Sequence, residues 1–166
     1  DDVEELLADF SGESNKSFGF SPTLLWEDET QTTLVAVVRY VYPDTPAYEA
    51  GLKRGDIITH INGEAITLSN YSTLFGSNVP VTFKVFDQFF ENPRNISITP
   101  RKINTDPVLY THVYHYPEQG KKIAYLFYTE FISNYNQSLF NAFDKFKREG
   151  VTDLIVDLRY NPGGDI

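Results

Sequence analysis

The chain has 166 residues and a formal charge of −9; 41% of its residues are apolar, 15% aromatic, and it contains neither Cys nor Met. That length allows one ordinary domain or two small ones with a packed core, and the lack of Cys excludes disulfides and thiolate metal sites. No window reaches the roughly 20 apolar residues of a membrane span, and acidity without clustered Lys and Arg argues against a nucleic-acid partner.

The charge is uneven. Residues 1 to 31 carry nine acids and one base, leaving fourteen acids and thirteen bases for the rest. Residues 1–16 read as an acidic N-terminal segment in which Val3, Leu6, Leu7 and Phe10 have the spacing of a short amphipathic helix. Asp1-Asp2-Val3-Glu4-Glu5 lacks the basic flank and apolar stretch of a signal peptide, and the absence of Met reads as a processed or excised piece of a longer chain.

Residues 17–101 show short strands separated by Gly, Pro, Asn and Asp, the pattern of a small β-barrel. Strands are expected from Gly19 to Leu25, from Leu34 to Val41 and from Ile57 to Ile61, the last before the hairpin dipeptide Asn62-Gly63. Val79, Val81, Phe83 and Val85 alternate with other residues, as do Ile96 and Ile98, giving two more half-buried strands. Two short helices are expected, from Pro46 to Gly51 and from Ser69 to Phe75.

Residues 102–166 change rhythm to longer elements. Val108 to Tyr116 and Ile123 to Tyr128 read as strands. Gln137 to Glu149 reads as a helix with Leu139, Phe140, Phe143 and Phe146 on its apolar side, ended by Gly150 in the left-handed conformation. Leu154, Ile155, Val156 and Leu158 form the near-continuous apolar run of a strand covered on both faces. Strand, helix and strand make a βαβ unit with a right-handed crossover, and Asn161-Pro162-Gly163-Gly164 is turn chemistry that exposes backbone N–H groups. The class is α+β.

Other candidate chemistry is sparse. Asp157 and Arg159 lie two apart, so a mostly buried carboxylate has a partner, a structural role. Lys145 and Lys147 fall on the polar side of their helix. His112 and His115 have helical metal-ligand spacing but lie on a predicted strand, where they face opposite sides; with His60 they are the only imidazoles, and no metal is expected. No phosphate-cradling loop, dinucleotide fingerprint or Gly-x-Ser-x-Gly turn is present, so no cofactor and no His-based triad is expected.

The residues from Tyr42 through Pro46, Gly51-Leu52 and Gly55-Asp56-Ile57-Ile58 to Asn62-Gly63 resemble the PDZ domains of bacterial proteases. Followed by Gly120-Lys-Lys-Ile-Ala-Tyr-Leu, a helix and Asp157-Leu-Arg-Tyr-Asn-Pro-Gly-Gly164, the order is similar to the carboxyl-terminal processing peptidases, or tail-specific proteases. The resemblance implies a circularly permuted PDZ-like module and a partial α/β core related to the ClpP and crotonase folds. It also implies a serine endopeptidase with a Ser nucleophile and a Lys base. In that family both follow the Asn-Pro-Gly-Gly turn, whereas the last Ser here, Ser138, precedes it, so this segment is expected to be inactive.

The resemblance further implies oxyanion or substrate-backbone support from Gly163 and Gly164. It places a carboxylate-capturing loop at Ser17-Phe18-Gly19-Phe20, with Ser17 where Gly is usual, and Tyr71, Leu74 and Phe75 beside it as pocket lining. The implied partners are protein or peptide C-termini, with a homodimer or strand exchange through the incomplete core. The implied location is the bacterial cell envelope, periplasmic or lipid-anchored. The alternative is a non-catalytic PDZ adaptor of the same envelope.

Overall fold

Two periodicities organise the molecule: alternation of apolar residues along short strands before residue 100, and longer strands with one helix after it. The computed structural model describes residues 16–165, so the amphipathic segment at Val3 to Phe10 lies outside the described residues. The chain divides into two compact units, one from Asn15 to Ile103 and one from Asn104 to Ile166.

In the first unit the strands are β1 (Phe20–Trp26), β2 (Leu34–Val41), β3 (Ile57–Ile61), β4 (Glu64–Ala65), β5 (Val81–Phe86) and β6 (Arg94–Ile98), with helices α1 (Pro46–Glu49) and α2 (Tyr71–Phe75). They form an antiparallel path β1-β2-β3-β5-β6, with β4 paired to β3. The path is open, so β1 and β6 are edges. Alternation carries Val81, Phe83 and Val85 into a core shared with Leu34, Ala36, Val38, Ile58, Ile61 and Ile98, and Leu52 plugs it beyond α1. Asn62 and Gly63 turn between β3 and β4 at φ 53° and 82°, the positive pair a two-residue hairpin of this hand requires. The buried Asp56 carboxylate accepts the Lys53 N–H at 3.0 Å and the Arg94 guanidinium at 2.5 Å, tying β6 to the entry of β3.

In the second unit β7 (Val108–Tyr116) pairs antiparallel with β8 (Lys121–Tyr128), and helix α3 (Asn136–Arg148) crosses over to β9 (Asp153–Asp157), which runs parallel to β8. This is the expected βαβ unit. Gly150 follows α3 at φ 68°; its N–H reaches Lys147 O and the Val151 N–H reaches Phe146 O, which satisfies the last carbonyls of the helix. Ala142 and Phe146 of α3 pack on Val113, Ala124, Leu126 and Tyr128.

Two expectations are corrected here. Leu154, Ile155 and Val156 are 42%, 50% and 43% exposed rather than covered on both faces, and Leu158, beyond the strand, is also exposed. The reason is position: β9 is an edge with β8 on one side only, and the buried residues of α3 pack over β7 and β8. Phe140 and Phe143 are likewise exposed, leaving Ala142 and Phe146 as the buried stripe of α3.

Candidate functional site

The loop before β1 is held by its carbonyls. Phe18 O accepts the Ala47 N–H at 2.9 Å, and Gly19 O accepts the Tyr42 N–H at 2.9 Å and the Thr45 hydroxyl at 3.3 Å. Ser17 exchanges both backbone bonds with Arg101, whose guanidinium grips Glu49 at 2.7 and 2.9 Å and Asp44 O at 2.7 Å, fastening the loop to α1. Arg101 correspondingly lowers the Glu49 pKa. With the carbonyls committed, the intervening N–H groups are what the loop offers to an anion. The Phe18 N–H has no acceptor among the described residues, and the Gly19 N–H is given to Ser17 Oγ at 3.2 Å.

Gly19 is obligatory at its position. It sits at φ +87°, and a Cβ there would lie 2.2 Å from Thr45 Cβ. Thr45 is buried, with its hydroxyl also bonded to Tyr42 O at 2.7 Å.

Of the three expected pocket residues, Phe75 meets the loop directly. Its ring stands 6.2 Å from Phe20 and 6.3 Å from Phe83, inside an aromatic cluster that Phe18 completes. Leu74 is half-buried against the same core, whereas Tyr71 is exposed. Leu74 and Phe75 are thus part of the apolar packing behind Phe20, while Tyr71 stands exposed.

The Asn161-Pro162-Gly163-Gly164 turn is built around Phe131. The Phe131 N–H donates to Gly163 O at 2.9 Å, and Phe131 O accepts the Asp165 N–H at 2.8 Å. Gly164, at φ +129°, runs so close that an added Cβ would stand 2.1 Å from Phe131 O; Gly163, at φ +114°, faces open space. Asn161 clamps the turn: its Oδ1 accepts the Gly163 N–H at 2.8 Å and its Nδ2 donates to Tyr128 O at 3.2 Å. The Gly163 N–H is thus committed internally, while the Gly164 N–H has no acceptor among the described residues. Asp165 Oδ2 accepts the Ser133 N–H at 3.1 Å, and Ser133 holds that carboxyl below its usual range.

Just upstream, Asp157 accepts Arg159 Nε at 2.9 Å, an Arg159 terminal nitrogen at 2.6 Å and the Tyr125 hydroxyl at 2.5 Å. The Arg159 guanidinium, and then the Tyr125 hydroxyl, hold the Asp157 carboxyl well below the carboxylate range, and Asp157 raises Arg159 in return. Burial, with Asp157 beside it, pushes Tyr125 up. This network stiffens the junction between β9 and the turn; Arg159 lies past the end of β9, with its own N–H also bonded to Asp157 at 3.1 Å.

Several of these residues are not assigned from the sequence. Asn161 carries a usable signal, an Asn two residues before a glycine N–H. The pairing of Tyr125 with Asp157, of Phe131 with Gly164 and of Arg101 with Glu49 spans 32 to 52 residues and has none. Among the described residues no three His, Cys, Asp or Glu side chains come together as for a metal, and no helix is long and apolar enough to cross a membrane.

Residues 37–84 match the PDZ domain family, and residues 122–166 match Peptidase family S41. The chain carries a PDZ domain followed by part of a family S41 peptidase region. Its S41 relatives include the chloroplastic C-terminal processing peptidase of Tetradesmus obliquus, 27% identical over 135 residues, which cover 74% of this chain and 29% of the relative. The carboxyl-terminal-processing protease of a Synechocystis species is 27% identical over 125 residues, 72% of this chain and 29% of the relative. The chain therefore spans about 29% of the length of these curated relatives.

A crystal structure of an S41 protease from Bacteroides fragilis, described as putative, superposes with a TM-score of 0.71 at 32% identity, over 92% of this chain and 42% of that one. The photosystem II D1 C-terminal processing protease superposes at 0.59 over 89% of this chain and 41% of that one; at 24% identity it supports the fold alone. The PDZ match begins inside β2, so the loop before β1 and β1 itself join the domain through the sheet pairing.

Proposed function

We propose that the chain is the peptide-capturing module and the first part of the catalytic core of a serine endopeptidase that processes protein C-termini outside the cytoplasm. Family relationship supports the peptidase part, because relatives that align over 74% and 72% of this chain are named for carboxyl-terminal processing. The observation that carries the reading is the Gly164 turn. In the turn that follows β9, the Gly164 backbone N–H is unengaged among the described residues, while its neighbour's is locked by Asn161. Acyl transfer needs such a fixed donor where negative charge develops on the carbonyl oxygen.

In this reading Gly164 supplies the donor, Gly163 supplies the carbonyl that registers the turn on Phe131, and Asn161 positions both. A Ser nucleophile and a Lys base belong to residues beyond this sequence, so the 166-residue chain by itself is inactive. At the other unit, Phe18 and Phe20 offer backbone N–H groups to a terminal carboxylate, beside the Gly19 N–H that Ser17 Oγ holds, β1 takes the ligand as an added strand, and Phe75 and Leu74 form the floor under its last side chain. An envelope location, periplasmic or lipid-anchored, suits an enzyme that meets exported protein ends.

The test is hydrolysis. The complete protein, incubated with a reporter protein bearing an apolar C-terminal tail, is expected to shorten it by mass spectrometry, and the 166-residue chain is expected to leave it intact. A complete protein that binds the tail yet never cleaves it would establish the adaptor instead.

A further inference from the structure

The edge strand β1 presents an incomplete row of donors. Gly19 O accepts the Tyr42 N–H and the Glu27 N–H donates to Thr33 O, so residues 19 and 27 face β2. Antiparallel alternation then turns the backbone groups of Phe20, Pro22, Leu24 and Trp26 outward, toward any ligand strand. Pro22 has no N–H. A peptide whose last residue lies opposite Phe20 has its third-from-last opposite Pro22, and that carbonyl finds no donor; the pyrrolidine ring occupies the place where the donor would be.

A second irregularity coincides with the first. The β1–β2 register shifts between Ser21 and Pro22, where β2 steps from Tyr40 to Val38. Arg39 is the extra residue, and its guanidinium reaches across to Ser21 Oγ at 2.6 Å. A proline on an exposed edge is a device that stops open-ended strand pairing. Here Pro22 interrupts the edge two residues past the capture loop, opposite the bulge that β2 carries.

We infer that Pro22 limits capture to the final two residues of a free C-terminus and excludes internal extended segments. This rests on the capture reading above and specifies its ligand: a chain end with an apolar terminal residue, recognised by its carboxylate and last two residues, with little contribution from what precedes them. Without Pro22 the edge would accept any extended apolar segment, whether or not it ended there.

The experiment is a titration of the 166-residue chain followed by amide NMR at Phe18, Gly19 and Phe20. The probes are the hexapeptide Gly-Ser-Ser-Leu-Ala-Val, acetyl-Ala-Val, and the hexapeptide amide. Unsubstituted protein is expected to bind hexapeptide and dipeptide within about twofold and the amide not measurably. Pro22→Val, checked for folding by Trp26 fluorescence, restores one main-chain donor and is expected to bind the hexapeptide roughly three- to tenfold tighter than the unsubstituted chain does, with the dipeptide unchanged. A hexapeptide that binds unsubstituted protein more than about tenfold tighter than the dipeptide, or a folded Pro22→Val without length dependence, overturns the role of Pro22 and leaves capture standing. Absence of shifts with every probe in both proteins removes capture itself, and the inference with it.

Discussion

Gly19→Ala tests the capture loop most sharply. The added Cβ would stand 2.2 Å from Thr45 Cβ, 2.4 Å from its Oγ1 and 2.6 Å from its Cγ2, where carbon atoms prefer about 3.5–4.0 Å, so loop and side chain must separate by more than an ångström. Overpacking of this kind costs about 1–3 kcal/mol. Positive φ adds about 1–2 kcal/mol for a residue with a Cβ, and the strained bonds to Gly19 O about 1 kcal/mol. The total is about 3–6 kcal/mol, a large share of the ~5–15 kcal/mol that holds a domain together.

Trp26, the sole Trp, lies on β1 in the same unit and reports its urea unfolding. With a slope of about 1.5 kcal/mol/M, the midpoint falls by about 2–4 M, and carboxylate capture is lost with it. Adding Thr45→Gly removes all three clashing atoms, and the double-variant cycle is expected to show about 1–2 kcal/mol of favourable coupling. A Gly19→Ala midpoint within about 0.5 M of the parent would refute the packing argument.

Ser17→Ala frees the Gly19 N–H from Ser17 Oγ, and a free-carboxylate peptide is expected to bind two- to fivefold tighter in the same NMR titration; equal binding refutes the competition, and weaker binding shows that the hydroxyl assists the ligand. Gly164→Ala is expected to raise amide exchange at Phe131 and Asp165 about a hundredfold, because the 2.1 Å approach breaks both bridge bonds, whereas Gly163→Ala, in open space, has at most about a tenfold effect; equal effects would contradict the bridge. Arg159 and Tyr125 depress the Asp157 pKa in the folded state, so its stabilisation is complete above the unfolded value of about 3.9 and is lost as pH falls below it. Asp157→Asn is expected to cost about 1–2 kcal/mol at pH 7, discounted because Arg159 is largely exposed, and to flatten the acid limb of unfolding in the second unit; an unchanged acid limb would remove Asp157 as its source.

Legibility in the sequence followed the range of the interaction. Ile57–Ile61, Leu34–Val41 and Val108–Tyr116 are bounded by turn residues and carry strong β patterns, so their limits are readable directly. Gly150 and Asn62-Gly63 encode their own backbone angles. The apolar run at Leu154 to Leu158 misleads, because burial depends on which neighbours are present and not on the strand itself. The same holds for Phe140 and Phe143, apolar by helical spacing yet beyond the width that β7 and β8 cover. At the sites, glycines and an aromatic helix stand out in the sequence. The identity of the engaged N–H does not, because Asn161, Phe131 and Thr45 act through contacts that only the folded chain creates.

The exposed edge of β9 carries its own protection. Asp153 and Asp157 bracket Leu154, Ile155 and Val156, so two copies zipping antiparallel along this edge would set each Asp153 against the other copy's Asp157. Asp157 is buried and already bonded to Arg159 and Tyr125, so the exposed Asp153 is the carboxylate that stands guard over the sticky tripeptide.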